Sequence, residues 1–401
     1  MTVSELVGLP ETIDEGRGDL AIMLTGGGAR AAYQVGLLRG IARHFPDLRF
    51  EIITGVSAGA INAMFLAAKP GSLAEKVDRL TEAWSALECP QVFGVDYTRL
   101  IPFRTALHGA FNGWISRKPH GLFNVDPLAA LLRDLFDCPI HRAPITGIRE
   151  NLADGWLKAV ALIGLDYATG QSVRWVQGRN LETFEGPQRR NVPCELTIEH
   201  VLASLALPFV FPAVYIGDRW YGDGSIRLSA PLSPAVHLGA RRILAMSTGY
   251  RRTPDQASQS VVRGYPPAAQ VISQLVNAVF LDVIDEDVTR MQRINEMIDR
   301  LSPAERNGFR RIELLTLRPS VDLGKLAAEQ QRSLPRSVRL LTRALGAAES
   351  ESPDFVSMLM FEPQYLRELI DTGERDVESR LHDLRVFFGE QLGPREVSLS
   401  G

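Results

Sequence analysis

The chain has 401 residues, 45% of them hydrophobic and 23% charged, which places it among ordinary soluble globular proteins with room for one large core and an appendage. Its formal charge of −3 supplies no clustered basic face, so nucleic acid is excluded as an expected partner. Three cysteines, Cys89, Cys138 and Cys194, stand far apart without a CxxC spacing, so free thiols in a reducing, cytoplasmic compartment are expected, and no metal site or cofactor.

The first twenty residues are acidic and lack an apolar run, so no secretory signal is read there. From residue 19 the chain alternates strand-like and helical patterns: "LAIMLTGGG", "RAAYQVGLLRGIARHF", "RFEIITG", "AGAINAMFLAAK". Strand, helix, strand, helix predicts a parallel sheet with helices on its faces. Residues 90–120, rich in aromatics, Gly and Pro, read either as an irregular insertion flanking a site or as a plain surface excursion. "NVDPLAALLRDLF" then predicts a helix with Asp126 as cap and Pro127 in the first turn.

Further strands are predicted at 156–166, 172–178, 241–248 and 310–319, which carries the α/β core to about residue 320. The uncharged stretch "VLASLALPFVFPAVYIG", 201–217, imitates a membrane span but falls short of the roughly 20 residues a span needs. Pro208 and Pro212 each remove a backbone donor, so a buried loop or short helix is expected. "VISQLVNAVFLDVI", 271–284, predicts a helix whose apolar face packs on the core, with lining an acyl pocket or touching a bilayer surface as alternatives. The paired arginines at 189–190, 241–242, 251–252 and 310–311 are scattered and read as solvated surface rather than an anion site. "GAAESESPD", 347–354, reads as a linker to C-terminal helices that cover the core.

Two turns carry chemistry. Gly55-Val56-Ser57-Ala58-Gly59 matches G-x-S-x-G, in which a strand turns into a helix and a strained serine projects from the corner, the glycines leaving room for close packing. "TGGGARAAY", 25–33, is a glycine-rich strand-to-helix junction whose amides, with the helix dipole, suit an anion. That anion is either a dinucleotide pyrophosphate, since Gly26, Gly28 and Ala31 fit G-x-G-x-x-G/A, or the oxyanion of an acyl-transfer intermediate. A dinucleotide site wants an acid at the end of the next strand, where this chain has the serine elbow and Glu51 lies at the wrong end. For a base, "WYGDGSIRLSAP" offers Asp223, while His200 and His237 lie downstream and the order Ser57, Asp223, His237 would suit a triad.

The ordered set "GGGAR", "GVSAG", "ASLALPFVFP" (203–212) and "YGDGS" resembles the patatin-like phospholipases over about residues 19–228. The resemblance implies a three-layer α/β/α sandwich with a mainly parallel sheet and a serine–aspartate dyad without histidine. It implies Ser57 as nucleophile, Asp223 as proton acceptor and Gly26, Gly27 and Gly28 as oxyanion hole. Arg30, Gly55, Gly59, Gly224 and Pro208 become supporting residues, Arg30 either positioning the loop or meeting an anionic head group. Ala31 and Ser225 depart from the family pattern, which more often has glycine at the first position and glycine or alanine at the second; both replacements are small.

The expected organisation is a catalytic domain at 19–228, a continuation of the α/β core at 229–320 and a C-terminal helical extension at 321–401. The expected activity is hydrolysis of fatty-acyl esters of phospholipids, lysophospholipids or related lipids, without metal, at a membrane surface but without a transmembrane segment. Acyl transfer through the same intermediate, a lipid-binding module without turnover and a dinucleotide-binding protein are the alternatives. A carboxylate is a feeble base at neutral pH, and Phe211, Trp220 and Tyr221 are the apolar residues placed to raise its pKa.

Overall fold

The computed structural model describes residues 19–95, 121, 123–179, 185–208, 210–253, 255, 274, 283–330 and 354–389. Among these residues the strands are β1 (Leu20–Leu24), β2 (Ile52–Val56), β3 (Gly94–Val95), β4 (Phe123–Asn124), β5 (Ala159–Asp166), β6 (Ser172–Gly178), β7 (Arg189–Pro193), β8 (Val214–Ile216), β9 (Arg219–Asp223), β10 (Arg242–Met246) and β11 (Glu313–Leu317). The helices are α1 (Ala31–His44), α2 (Ala58–Ala68), α3 (Leu73–Ser85), α4 (Cys89–Val92), α5 (Asp126–Leu135), α6 (Ile148–Ala153) and α7 (Ile198–Leu205). They continue with α8 (Ser233–His237), α9 (Val283–Asp299), α10 (Leu323–Glu329), α11 (Asp354–Leu359), α12 (Pro363–Ser379) and α13 (Leu381–Phe388).

The main sheet has the order β11-β10-β1-β2-β5-β6-β7, with β9 against the end of β5 and β8 against β9. Strands β11, β10, β1, β2 and β5 are mutually parallel, β6 reverses against β5, and β7 runs parallel to β6. The central strands are apolar throughout because helices cover both faces, as parallel sheets require. On β1, Leu20, Ile22 and Leu24 join the large core formed with α1, α2 and α3, while Ala21 and Met23 turn to a smaller core under α8 and α9. The result is the three-layer α/β/α arrangement with a mostly parallel sheet.

The C-terminal helices are built into the large core. Helix α12 lies against α1 so closely that a Cβ on Gly36 would overlap the Ile370 carbonyl, and one on Gly373 the Tyr33 carbonyl. Tyr33 Oη donates to Asp376 Oδ2 at 2.8 Å across the same contact, deep in the interior.

Several local expectations are adjusted. Asp126 is the first residue of α5 rather than its cap; its amide donates to Asn124 Oδ1 at 3.0 Å, so the turn before the helix is closed by asparagine. The 201–217 stretch forms the end of α7, a turn and β8, and among the described residues no helix is long and apolar enough to cross a membrane. The paired arginines are not uniformly solvated: Arg242 is buried and donates to Phe387 O, and Arg190 pairs with the buried Asp166. The three cysteines are free, and burial pushes the thiols of Cys89 and Cys194 up to about 12. Most of 90–120, of the 271–284 stripe and of the 347–354 linker lies outside the described residues.

Candidate active site

Strand register brings the two chemical turns together. Leu24 of β1 lies opposite Gly55 of β2 and Met246 of β10, so the loops that follow all three strands emerge side by side. Val56 lies opposite Ile163 of β5, and the next residue of β5, Gly164, lies opposite Asp223 of β9. The serine after Val56 and the aspartate beside Gly164 therefore meet at the carboxyl end of the sheet. The chain leaves β1 toward β2 and β5 and returns to its other side as β10 and β11. Open α/β sheets bind ligands at such a reversal.

Ser57 occupies φ 53°, ψ −134°, a conformation that costs a non-glycine residue on the order of 1–3 kcal/mol and persists only where its surroundings enforce it. The enforcement is visible. Its amide donates to Ser204 Oγ at 3.0 Å, and that hydroxyl donates to Ile163 O at 2.6 Å, tying the elbow through α7 to β5. Gly59 lies where a Cβ would overlap the carbonyls of Leu24 and Thr25, and a Cβ on Gly55 would approach that of Ala63 to 2.6 Å. The flanking glycines let helix α2 seat against the strand ends.

The glycine loop borders the serine directly. A Cβ on Gly26 would come within 2.8 Å of Ser57 Cβ and 3.3 Å of Ser57 Oγ. Gly27 and Gly28 have φ of 143° and 58°, backbone that suits glycine. No described group accepts a hydrogen bond from the amides of Gly26, Gly27 or Gly28. The loop is held from behind: Thr248 Oγ1 donates to Gly26 O at 2.6 Å, and Gln34 Nε2 to Thr25 O at 2.9 Å. Arg30 is 1% exposed, and its guanidinium donates to Asp354 Oδ1 at 2.5 Å and Ser357 Oγ at 2.6 Å. It therefore faces α11 inside the protein, where no head group reaches.

Asp223 is fully buried at the end of β9. Its Oδ1 accepts from the Ser225 amide at 2.9 Å, and a Cβ on Gly224 would overlap the Ile163 carbonyl, fixing the turn against β5. Burial pushes the carboxyl up to about 6, while the Ser57 hydroxyl and the Ser225 amide and hydroxyl draw it back. The hydroxyls act from nearby without closing the contact, since Asp223 Oδ2 and Ser225 Oγ each lack a hydrogen-bond partner. The desolvation does not come from Trp220, which is 53% exposed. Tyr221 stacks edge-on against Trp175, and Phe211 lines the neighbouring cavity.

Among the described residues no histidine bonds to Ser57 or Asp223. His237 Nδ1 is bonded to Ser233 within its own helix, and His200 Nδ1 to Thr197 Oγ1, its pKa lowered to about 4 by burial. The order Ser57, Asp223, His237 thus has no triad geometry.

An apolar cavity of about 820 Å³, counting its open mouth, starts at Ser57 and Gly28 and runs between Ile61, Leu131, Phe211 and Met358. Pro208 is half-buried in the adjoining turn and is not part of the lining. Among the described residues no group of His, Cys, Asp and Glu could hold a metal ion. Sequence reasoning missed Thr248, Asp354 and Ser357, and reached Ser204 only as part of the motif at 203–212. Thr248 is the last residue of a predicted strand, at its carboxyl end, which is a signal; Asp354, 324 residues from Arg30, gives none.

The patatin-like phospholipase family profile matches residues 22–236. No curated protein sequence matches the chain. Among solved structures it is similar to human GIVD cytosolic phospholipase A2, with a TM-score of 0.46 and 11% identity over 97% of this chain and 64% of that one. It is also similar to VipD from Legionella pneumophila, with a TM-score of 0.31 and 12% identity over 88% of this chain and 67% of that one. The heterodimeric ExoU-SpcU complex of Pseudomonas aeruginosa matches with a TM-score of 0.26 and 12% identity over 93% of this chain and 77% of that one. The chain spans less than two thirds of the human phospholipase chain it matches. With its profile matched over more than half of the sequence, the chain belongs to the patatin-like phospholipase family.

Proposed function

We propose that the protein is a serine lipid acyl hydrolase that cleaves fatty-acyl esters of phospholipids, lysophospholipids or related lipids through Ser57 and Asp223. The observation that carries this reading is a serine in a strained elbow, next to a fully buried carboxylate, at the head of an apolar cavity.

Asp223 takes the hydroxyl proton as Ser57 Oγ attacks the ester carbonyl, and the amides of Gly26, Gly27 and Gly28 receive the developing oxyanion. Collapse expels the alcohol, which leaves with the proton from Asp223. Water then gives a proton to Asp223 and attacks the acyl-serine, releasing the fatty acid and restoring the hydroxyl. With a pKa near 6, Asp223 is a better base than an ordinary carboxylate yet mostly ionised at pH 7. The cavity takes the acyl chain, each buried methylene contributing about 0.8 kcal/mol. Every step uses groups of the chain itself, so activity is expected to persist in chelator.

In this reading residues 19–228 carry the chemistry, β10 and β11 of 229–320 complete the sheet, and Asp354 and Ser357 of 321–401 brace the glycine loop through Arg30. The substrate implies work at a membrane surface by a cytoplasmic protein. A fluorophosphonate probe tests the proposal: wild type forms a covalent adduct and Ser57→Ala does not. Folded wild type that resists the probe would leave the lipid-binding alternative in its place.

A further inference from the structure

A second cavity lies on the sheet face opposite the acyl pocket. Strand β6 turns Val173 and Trp175 into the large core, so Ser172 and Arg174 point to the other side. There Ser172 and Arg174, Arg189 (opposite Ser172 on β7), Arg227 at the end of the 3-10 helix Gly224–Arg227, and Ser229 line an open cavity of about 900 Å³.

Its anomaly is Arg174. The residue is 4% exposed, its Nη2 donates to Ser233 Oγ at 3.0 Å, and its Nε and Nη1 have no hydrogen-bond partner. The nearby Arg190 has the buried Asp166 as counter-charge; Arg174 has no acid among the described residues. A guanidinium withdrawn from water without a counter-charge is among the costlier arrangements in a folded protein. Burial, with Arg189 beside it, lowers its pKa to about 9.

We propose that this cavity binds a phosphate-type dianion, with Arg174 as its anchor and Arg189, Arg227 and the hydroxyls of Ser172 and Ser229 as further donors. The Nε and Nη1 donors of Arg174 are unmet, and unmet guanidinium donors call for a charged, acceptor-rich partner. Converging guanidinium and hydroxyl groups suit a tetrahedral anion with several acceptor oxygens better than a carboxylate with two. The inference goes beyond the hydrolase reading, because the cavity and Ser57 lie on different sides of the sheet.

The test is thermal unfolding of the full chain in inorganic phosphate against chloride at matched ionic strength, for wild type, Arg174→Met and Arg227→Gln. In parallel, sedimentation is measured with phosphatidylcholine vesicles with and without phosphatidic acid. Wild type gains about 3 °C when phosphate is a hundredfold above its dissociation constant. Arg174→Met is at least as stable as wild type in chloride, because an uncompensated charge is gone, and loses the phosphate shift. The exposed Arg227→Gln, which leaves the interior intact, needs about tenfold more phosphate for the same shift and decides the matter if Arg174→Met does not fold. A phosphate shift without sedimentation assigns a soluble ligand. Sedimentation that needs phosphatidic acid and is lost in the variants, without a shift in free phosphate, assigns a lipid head group. Neither response in wild type, or responses unchanged in the variants, overturns the site.

Discussion

Arg30, at the end of the glycine loop, and Asp354, at the start of α11, form a buried ion pair at 2.5 Å across 324 residues of sequence. The side chains are 2% and 9% exposed, so neither charge has water to fall back on. Asp354→Ala, which strands the guanidinium, is expected to destabilise the protein by about 3–5 kcal/mol, whereas Arg30→Met with Asp354→Leu recovers most of that loss. Urea denaturation of the three proteins measures it. A single variant as stable as wild type would mean that the loop is held by Thr248 and Gln34 alone.

The Ser57 elbow makes an opposite prediction about stability. Its positive φ favours glycine, so Ser57→Gly is expected to raise stability by about 1 kcal/mol while abolishing acyl-ester cleavage. Ser57→Ala keeps the strain and is expected to unfold at the wild-type denaturant midpoint. Equal midpoints for the glycine and alanine variants would show that the elbow carries no strain.

Asp223 ties stability and activity to the same pH window. Its folded pKa of about 6 lies above the unfolded value of about 4, so the folded state holds the proton more tightly and its stability falls as pH rises between the two. The cost is absent below pH 4 and complete above pH 6, at about 3 kcal/mol. Asp223→Asn is therefore expected to match wild type in acid and to exceed it by up to that amount at pH 7 to 8. In wild type the acidic limb of kcat/KM falls near pH 6, where the base becomes protonated. Ser225→Ala removes a hydroxyl that lowers this pKa and is expected to move the limb upward. A limb unmoved by Ser225→Ala and lying near pH 4 would contradict both statements.

Leu131, half-buried on α5, lines the apolar cavity and can be enlarged without disturbing the centre of the core. Leu131→Trp is expected to cut kcat/KM for long-chain esters by about tenfold or more, since each methylene turned out forfeits about 0.8 kcal/mol. Acetyl and butyryl esters should be hydrolysed as by wild type. A uniform loss across chain lengths would place the acyl group elsewhere.

Much of the fold was legible because its strands are rich in apolar residues: β1, β5, β6, β10 and β11 fall within stretches that sequence pattern marks as strands, and β2 runs one residue past its stretch. The hairpin β8–β9 was not, because Val214–Ile216 is only partly buried and Arg219–Asp223 mixes charge, glycine and an outward tryptophan. Edge strand β7, "RRNVP", carries two arginines and a proline that disguise it. Ser57 and the glycine loop were legible as local turn chemistry. The residues that brace them were not, since Ser204 and Thr248 meet distant backbone and Asp354 a distant side chain, and no spacing records that. Arg174 looked like any polar residue on a strand; only the missing partner distinguishes it.

The position of β1 between β2 and β10 imposes an order on biosynthesis. A nascent chain that has emerged only through residue 236 holds the elbow and the aspartate, yet leaves one edge of its central strand unpaired. Thr248 and Asp354 arrive later still, so the glycine loop acquires its full back wall only after residue 354 has emerged. Such distant pairings fold slowly, and truncated translation products are expected to be aggregation-prone.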